Sequence, residues 1–156
     1  MYKKTNAIRI LEKNDIYFKI HYLEKAEGLS GVELAGKLFE PIDKVYKTLV
    51  TVAKSKMNYV FVIPVKKELD LKKAAKVVGE KSVEMLKSKE LLPLTGYVHG
   101  GCSPIGMKKS FKTIIDVSAE SLSNMYVSGG MIGLQVELKP NDLKKVVDFE
   151  YGDITL

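Results

Sequence analysis

The sequence predicts an α+β (mixed α/β) fold, with one domain over residues 1–156 built around a mixed sheet. The length suits one domain better than two. No internal repeat, low-complexity tract or linker divides the chain. Apolar segments of strand length are mixed with single short helical patterns. This order favours an α+β domain over a doubly wound parallel fold.

In the first half of the chain, Thr5 or Asn6 can cap a first helix. Two β-branched apolar segments flank the turn-like "KSKMN" and predict a hairpin in the core. Asp70 can cap a later helix that Gly79 ends. The predicted elements are a helix in "TNAIRILEKN", a strand over 16–23, a helix over 31–39, strands over 45–53 and 59–65, and a helix in "LKKAAKVVG".

In the second half, "SVEML" predicts a short strand and "SKELLPLT" a short helix broken near Pro93. Strands are predicted over 112–117, 124–128 and 132–138, the last two joined by a glycine turn. Pro140 suits the first turn of a closing helix, "PNDLKKVV".

The formal charge is +6, and almost all of the positive charge is lysine, because Arg9 is the only arginine. Lysine suits a polyanion held by its backbone more than bidentate reading of bases. A nucleic-acid partner is one interpretation, and general lysine decoration of the surface is the other.

The N-terminus lacks the apolar run of a signal peptide, and "YVFVIPV" is far shorter than a membrane span. Cys102, the single cysteine, can form neither an internal disulfide nor a multi-cysteine zinc site. We therefore expect a cytoplasmic, reduced protein with no membrane contact.

Lys47 is the first candidate for chemistry, because it enters an apolar strand among Val45, Leu49, Val50 and Val52. Apolar surroundings favour the neutral amine or demand an anionic partner. Such a group can donate to an ester carbonyl or a ribose hydroxyl. The alternative is a lysine at the mouth of the strand that reaches water.

The loop "HGGCSPIG" (99–106) is the second candidate, because adjacent glycines let a ligand approach backbone N–H groups. It matches neither the Walker A nor the dinucleotide-binding pattern, and a plain turn is an equal alternative. A second glycine turn, "VSGGMIGL" (127–134), is of the same kind. The two turns and Lys47 can line one pocket, although periodicity does not show that they meet.

Cys102 is either a nucleophile or a small buried core residue. His99 lies three residues away, but nearness in sequence says little about geometry. His21 and His99 are too few for a metal site, so no metal or other cofactor is expected.

Five ordered blocks resemble the YbaK/EbsC family of aminoacyl-tRNA deacylases, relatives of the editing domain of bacterial prolyl-tRNA synthetases. The resemblance runs from about Thr5 to Val147. The blocks are "VYKTLV", "LDLKKAAKVVGEKSVEM", "TGYVHGGCSPIGMKK", "TIID" and "YVSGGMIGLQVEL".

The resemblance implies a compact domain with a partly barrel-like sheet surrounded by helices, and hydrolysis of mischarged tRNA, most typically Cys-tRNA(Pro). The implied partners are the acceptor end of tRNA and prolyl-tRNA synthetase. Lys47 takes the position of the family's key lysine. The implied substrate-binding residues are Gly100, Gly101, Cys102, Ser103, Pro104, Ser128, Gly129, Gly130, His21 and Tyr22.

The mechanism proposed for cysteine-specific members needs no enzymic nucleophile, since the substrate's own thiol attacks its ester. The chain departs from the family pattern at Leu23, where some members carry tyrosine, and at Gln135, where an acid is usual. These departures loosen the expected amino-acid specificity. Deacylation of another tRNA such as Ala-tRNA(Pro) by water, and a non-catalytic tRNA- or protein-binding module, stay open as alternatives.

Overall fold

A computed structural model describes residues 3–39 and 42–156. Within these ranges the chain forms short helices and strands in mixed order. The helices are α1 (Asn6–Lys13), α2 (Gly31–Leu38), α3 (Leu71–Val78), α4 (Ser88–Thr95) and α5 (Pro140–Leu143). The strands are β1 (Lys19–Tyr22), β2 (Tyr46–Ala53), β3 (Asn58–Pro64), β4 (Val83–Met85), β5 (Lys112–Asp116), β6 (Met125–Ser128), β7 (Leu134–Leu138) and β8 (Phe149–Gly152).

The strands form two sheets that meet at one point. An antiparallel sheet has the order β1-β7-β6, and a mixed sheet has the order β4-β2-β3-β5-β8. In the mixed sheet, β5 runs parallel to both β3 and β8. A parallel bridge between Val45 and Tyr126 joins β2 to β6. The predicted mixed α/β fold is confirmed, with the strands divided between two sheets.

Local signals place the helix starts where the sequence predicts them. The Thr5 hydroxyl accepts a hydrogen bond from the Ile8 N–H and caps α1. Asp70 accepts from the first turn of α3, which ends at Gly79 with φ at 74°. A capping box between Ser30 and Glu33 begins α2. The predicted hairpin of β2 and β3 is also present.

Two predicted elements are wrong in detail. Helix α4 is not broken at Pro93 but continues to Thr95 and ends at Gly96. Pro93 is exposed, so water can satisfy the helix carbonyl that proline leaves without a donor. The predicted closing helix ends after four residues, and the chain returns as β8 beside β5.

The core lies on the inner faces of both sheets. Helix α1 contributes Ala7, Ile8 and Leu11 to a core cluster that also holds residues of both sheets. Helix α3 covers the mixed sheet over Phe61 and Ile114. In the described part of the chain, no helix has the length and apolar character needed to cross a bilayer.

Candidate functional site

A row of polar side chains crosses the outer face of the three-stranded sheet. The strand register sets His21 opposite Gln135, and Gln135 opposite Ser128. Directly opposed residues project to the same face of a sheet. The intervening residues, such as Ile20 and Val136, pack into the core on the other face. The three polar residues therefore share one surface.

Lys47 extends this row onto the next strand. The parallel bridge sets Val45 beside Tyr126, and both pack in the same small apolar cluster. Two residues further along each strand come Lys47 and Ser128. Residues two apart on a strand share a face, so Lys47 and Ser128 project to the same face as Val45 and Tyr126, two residues beyond the bridge.

The Lys47 side chain is a half-buried cation without a partner. Within residues 3–39 and 42–156 it makes no ion pair and no hydrogen bond, whereas Lys66 and Lys73 are paired with aspartates. The anionic partner that the apolar strand demands is therefore absent from the described residues. Partial burial strengthens the attraction of such a cation for an electron-rich ligand atom.

Gln135 supplies an acceptor in the same row. The residue is only 7% exposed, and its side-chain oxygen, Oε1, has no hydrogen-bond partner in the described structure. A buried acceptor left unpaired costs about 1–3 kcal/mol. Its neighbour Ser128 is satisfied, because its hydroxyl accepts from the Gly130 N–H at 3.1 Å. Among the described residues the row thus holds a half-buried cation without a partner and a buried acceptor without a partner.

The two glycine turns meet, which sequence periodicity left open. A Cβ placed on Gly101 would lie 2.9 Å from backbone atoms of Met131 and Ile132. The loop backbone therefore packs directly on the second turn. Gly130 has φ at 103°, and a Cβ placed on it would lie 2.9 Å from Tyr97 and 3.0 Å from Thr5. Because the second turn begins just after Ser128, the loop lies beside the end of the polar row.

The loop offers unpaired backbone donors. The Gly101 N–H donates to the Val98 carbonyl, and the Ile105 N–H donates to the Ser103 hydroxyl. The N–H groups of Cys102 and Ser103 have no acceptor among the described residues, although Ser103 is fully buried. Unpaired buried N–H groups are rare in folded proteins. Cys102 is 7% and Ser103 0% exposed, so these N–H groups can donate to a developing oxyanion only once substrate binding uncovers them.

Cys102 lies in the core and is not arranged as a nucleophile. Burial raises the pKa of its thiol to about 12, with a smaller opposing effect from the Thr95 hydroxyl. The reactive thiolate is therefore scarce at neutral pH. His99 is exposed, and no hydrogen bond joins it to Cys102 in the described structure. Residues 3–39 and 42–156 contain no group of three His, Cys, Asp or Glu side chains placed to hold a metal ion.

We expect Cys102→Ala to leave the rate of the deacylation that the family resemblance implies within a few-fold of wild type. The thiol is protonated and buried, so its loss removes packing atoms but no attacking group. Single-turnover release of the amino acid from preformed aminoacyl-tRNA measures this rate. A loss of a hundredfold or more, in a variant that melts like wild type, would restore the nucleophile hypothesis.

His21 and Tyr22 do not share a face. His21 stands in the polar row, and its Nε2 lies 2.9 Å from a carboxylate oxygen of Glu137. Tyr22 packs against the core. Burial tends to raise the pKa of Glu137, but hydrogen bonds from His21 and Asn124 bring it below its ordinary value. The carboxylate is therefore ionised at neutral pH and fixes the imidazole.

The residues that sequence reasoning missed lie around His21. Phe39 and Tyr126 pack against its ring, with centroids at 4.9 and 5.6 Å. Glu137 belongs to the quoted block "GLQVEL" but was given no role. The pairing of β1, β6 and β7 brings His21, Tyr126 and Glu137 together, and the end of α2 adds Phe39.

A shallow cavity of about 220 Å³ lies at the exit of the loop. Its lining includes Pro104, Gly106, Phe111 and Val146 but none of the polar row. This cavity is therefore separate from the polar row.

Comparison with known proteins identifies the family. A model of the aminoacyl-tRNA editing domain matches residues 27–146. The chain is 42% identical over 154 residues to EbsC of Enterococcus faecalis, a candidate Cys-tRNA(Pro)/Cys-tRNA(Cys) deacylase. That alignment covers 98% of this chain and 94% of EbsC.

Solved structures show the same fold. A candidate trans-editing enzyme for prolyl-tRNA synthetase superposes with a TM-score of 0.84 at 23% identity, over 99% of both chains. A scaffold protein used for presenting grafted epitopes gives the same score at 22% identity, also over 99% of both chains.

The matched residues include Lys47, both glycine turns and the Gln135 strand. The chain belongs to the YbaK/EbsC family of aminoacyl-tRNA editing domains, and its enzyme class is aminoacyl-tRNA deacylase.

Proposed function

We propose that the chain is a trans-editing deacylase that clears cysteine from mischarged tRNA(Pro). The observation that carries the proposal is the Lys47 ammonium, which has no partner among the described residues, on the same face as Ser128 and Gln135 and next to the glycine loop. A related protein, EbsC, carries a name that specifies Cys-tRNA(Pro) and Cys-tRNA(Cys). Cysteine and proline are similar in volume, so the amino-acid site of prolyl-tRNA synthetase excludes cysteine poorly. A second, editing site must then remove the error.

In the proposed reaction the cysteinyl thiol attacks its own ester carbonyl. A bond forms between sulfur and the carbonyl carbon, and the bond from that carbon to the ribose oxygen breaks. The thiol proton passes to the departing ribose hydroxyl. The products are free tRNA and a cyclic cysteine thiolactone, which water then opens to cysteine.

In this reaction the protein's groups orient the substrate ester and stabilise the charge that develops on its carbonyl oxygen. The N–H groups of Cys102 and Ser103 donate to the carbonyl oxygen as it gains charge. One well-placed donor of this kind is worth about 10²–10³ in rate. Lys47 contacts the ester or the terminal ribose. Holding thiol and carbonyl together supplies the rest of the rate enhancement.

We expect strong release from Cys-tRNA(Pro), weak release from Ser-tRNA(Pro) and negligible release from Ala-tRNA(Pro). The hydroxyl of serine is a poorer nucleophile than a thiol, and alanine has no nucleophile. Rates are measured on preformed, radiolabelled substrates at equal enzyme concentration. An S-methylcysteinyl-tRNA(Pro) is the matched control, because it keeps the sulfur and blocks its attack.

Equal release from the cysteinyl, S-methylcysteinyl and alanyl substrates would contradict thiol attack and favour water. Salt-dependent tRNA binding without release from any substrate would instead favour a binding module.

We further propose that prolyl-tRNA synthetase presents the tRNA to this chain. The lysine-rich surface, with a formal charge of +6, suits the tRNA backbone rather than sequence reading. One structural neighbour is described as a trans-editing enzyme for that synthetase. Sedimentation of the chain with synthetase and tRNA together, and with each alone, tests this association.

A further inference from the structure

We infer that the aromatic cluster of His21, Phe39 and Tyr126 binds the terminal adenine base of the tRNA. The inference rests on the proposed function, which brings the acceptor end of tRNA to the polar row. It assigns the base to the rings at the His21 end of the polar row, apart from Lys47 at the other end.

The cluster is a half-buried patch of three rings. Phe39 and Tyr126 lie with their ring centroids 4.1 Å apart at an interplanar angle of 36°. His21 meets both rings nearly edge-on, at 76° and 69°. All three residues retain partial exposure. Aromatic rings of this kind are the common platform for stacking a nucleobase, whatever its sequence.

The spacing of the cluster from the polar row suits one nucleoside. Tyr126 precedes Ser128 by two residues on β6 and projects to the same face. Two residues along a strand span about 6.8 Å. A ribose ring separates the ester from the base in the terminal nucleoside. With the ester beside Lys47, the base therefore reaches the rings.

A chain of hydrogen bonds holds this surface in place. Glu137 accepts from His21 with one oxygen and from the Asn124 amide with the other. The Asn124 oxygen in turn accepts from the Lys44 ammonium at 3.3 Å. Lys44 has no carboxylate partner in the described structure. The Lys44 charge is therefore available to a backbone phosphate of the tRNA acceptor strand.

The test uses uncharged tRNA(Pro) with 2-aminopurine in place of the terminal adenine. Stacking quenches the fluorescence of this base, so wild type is expected to quench it. Phe39→Leu and Tyr126→Leu are expected to lose the quenching and to weaken binding about tenfold. Tyr126→Phe keeps the ring and is expected to quench like wild type.

Tyr17→Leu is the matched control, because Tyr17 is an aromatic residue 73% exposed outside the cluster. It is expected to quench like wild type. Lys47→Ala is expected to keep the quenching while losing deacylation, which separates base binding from chemistry. Unchanged quenching in both leucine variants would overturn the inference.

A second measurement needs no variant and covers the case in which a leucine variant fails to fold. Wild type is titrated with tRNA(Pro) that carries an abasic 3′ nucleotide, and affinity is expected to fall about tenfold. Equal affinity for the normal and abasic RNAs overturns the inference. If wild type still releases cysteine from Cys-tRNA(Pro) in that case, the proposed function stands without it. Absence of both release and quenching overturns both.

Discussion

Lys47→Ala is expected to lower the rate of cysteine release from Cys-tRNA(Pro) by about 10²–10³-fold, the usual effect of removing a charge-stabilising donor. The side chain is a half-buried cation without an ionic or hydrogen-bonding partner among the described residues. It therefore contributes little to the folded state by itself. We expect the thermal midpoint to stay unchanged or to rise slightly, since a partly desolvated charge is removed. This variant should therefore lose activity without losing stability.

Two further variants sharpen this test. Lys47→Met keeps most of the side-chain volume and removes the charge, so it should be as inactive as the alanine variant. Lys54→Ala removes an exposed lysine just beyond the other end of β2 and should behave as wild type. Single-turnover release at saturating enzyme measures the chemical step directly. Activity within a few-fold of wild type in Lys47→Met would remove Lys47 from the reaction.

Much of the fold was predictable because its signals are local. The caps at Thr5 and Asp70 and the stop at Gly79 each depend on residues within one helical turn. Strand β8 was missed, although Phe149 and Tyr151 alternate as a strand requires. The predicted break at Pro93 was wrong for another reason. Whether a helix tolerates the hydrogen bond that proline lacks depends on solvent exposure, which the local sequence does not show.

The candidate site was predictable only in part, because its assembly depends on strand register. Lys47 is conspicuous in the sequence as a charge within an apolar strand. The opposition of His21 to Gln135 joins residues more than a hundred positions apart, and no local pattern encodes it. The strand places His21 and Tyr22 on opposite faces, although the family resemblance implied that both bind substrate. Family resemblance named His21 and Ser128 as site residues, and the strand register places them on one face of the sheet.

The contact between the glycine turns leads to the second large expected effect. Gly101→Ala should lower the rate of cysteine release by at least about a hundredfold, because a displacement of about 1 Å at a reacting centre costs that much. The added Cβ would lie 2.9 Å from backbone atoms of Met131 and Ile132, which cannot rotate away. The loop must then move off the second turn. The free N–H groups of Cys102 and Ser103 move with it.

The cost in stability should be smaller than the cost in rate. Overpacking of this kind typically removes about 1–3 kcal/mol from the free energy of unfolding, so the variant should still fold. Gly36→Ala is the matched control, because a Cβ there meets nothing within 4 Å and alanine favours the helix. It should keep full activity and melt slightly higher. A Gly101→Ala variant that releases cysteine at the wild-type rate would show that the loop amides take no part in stabilising the ester.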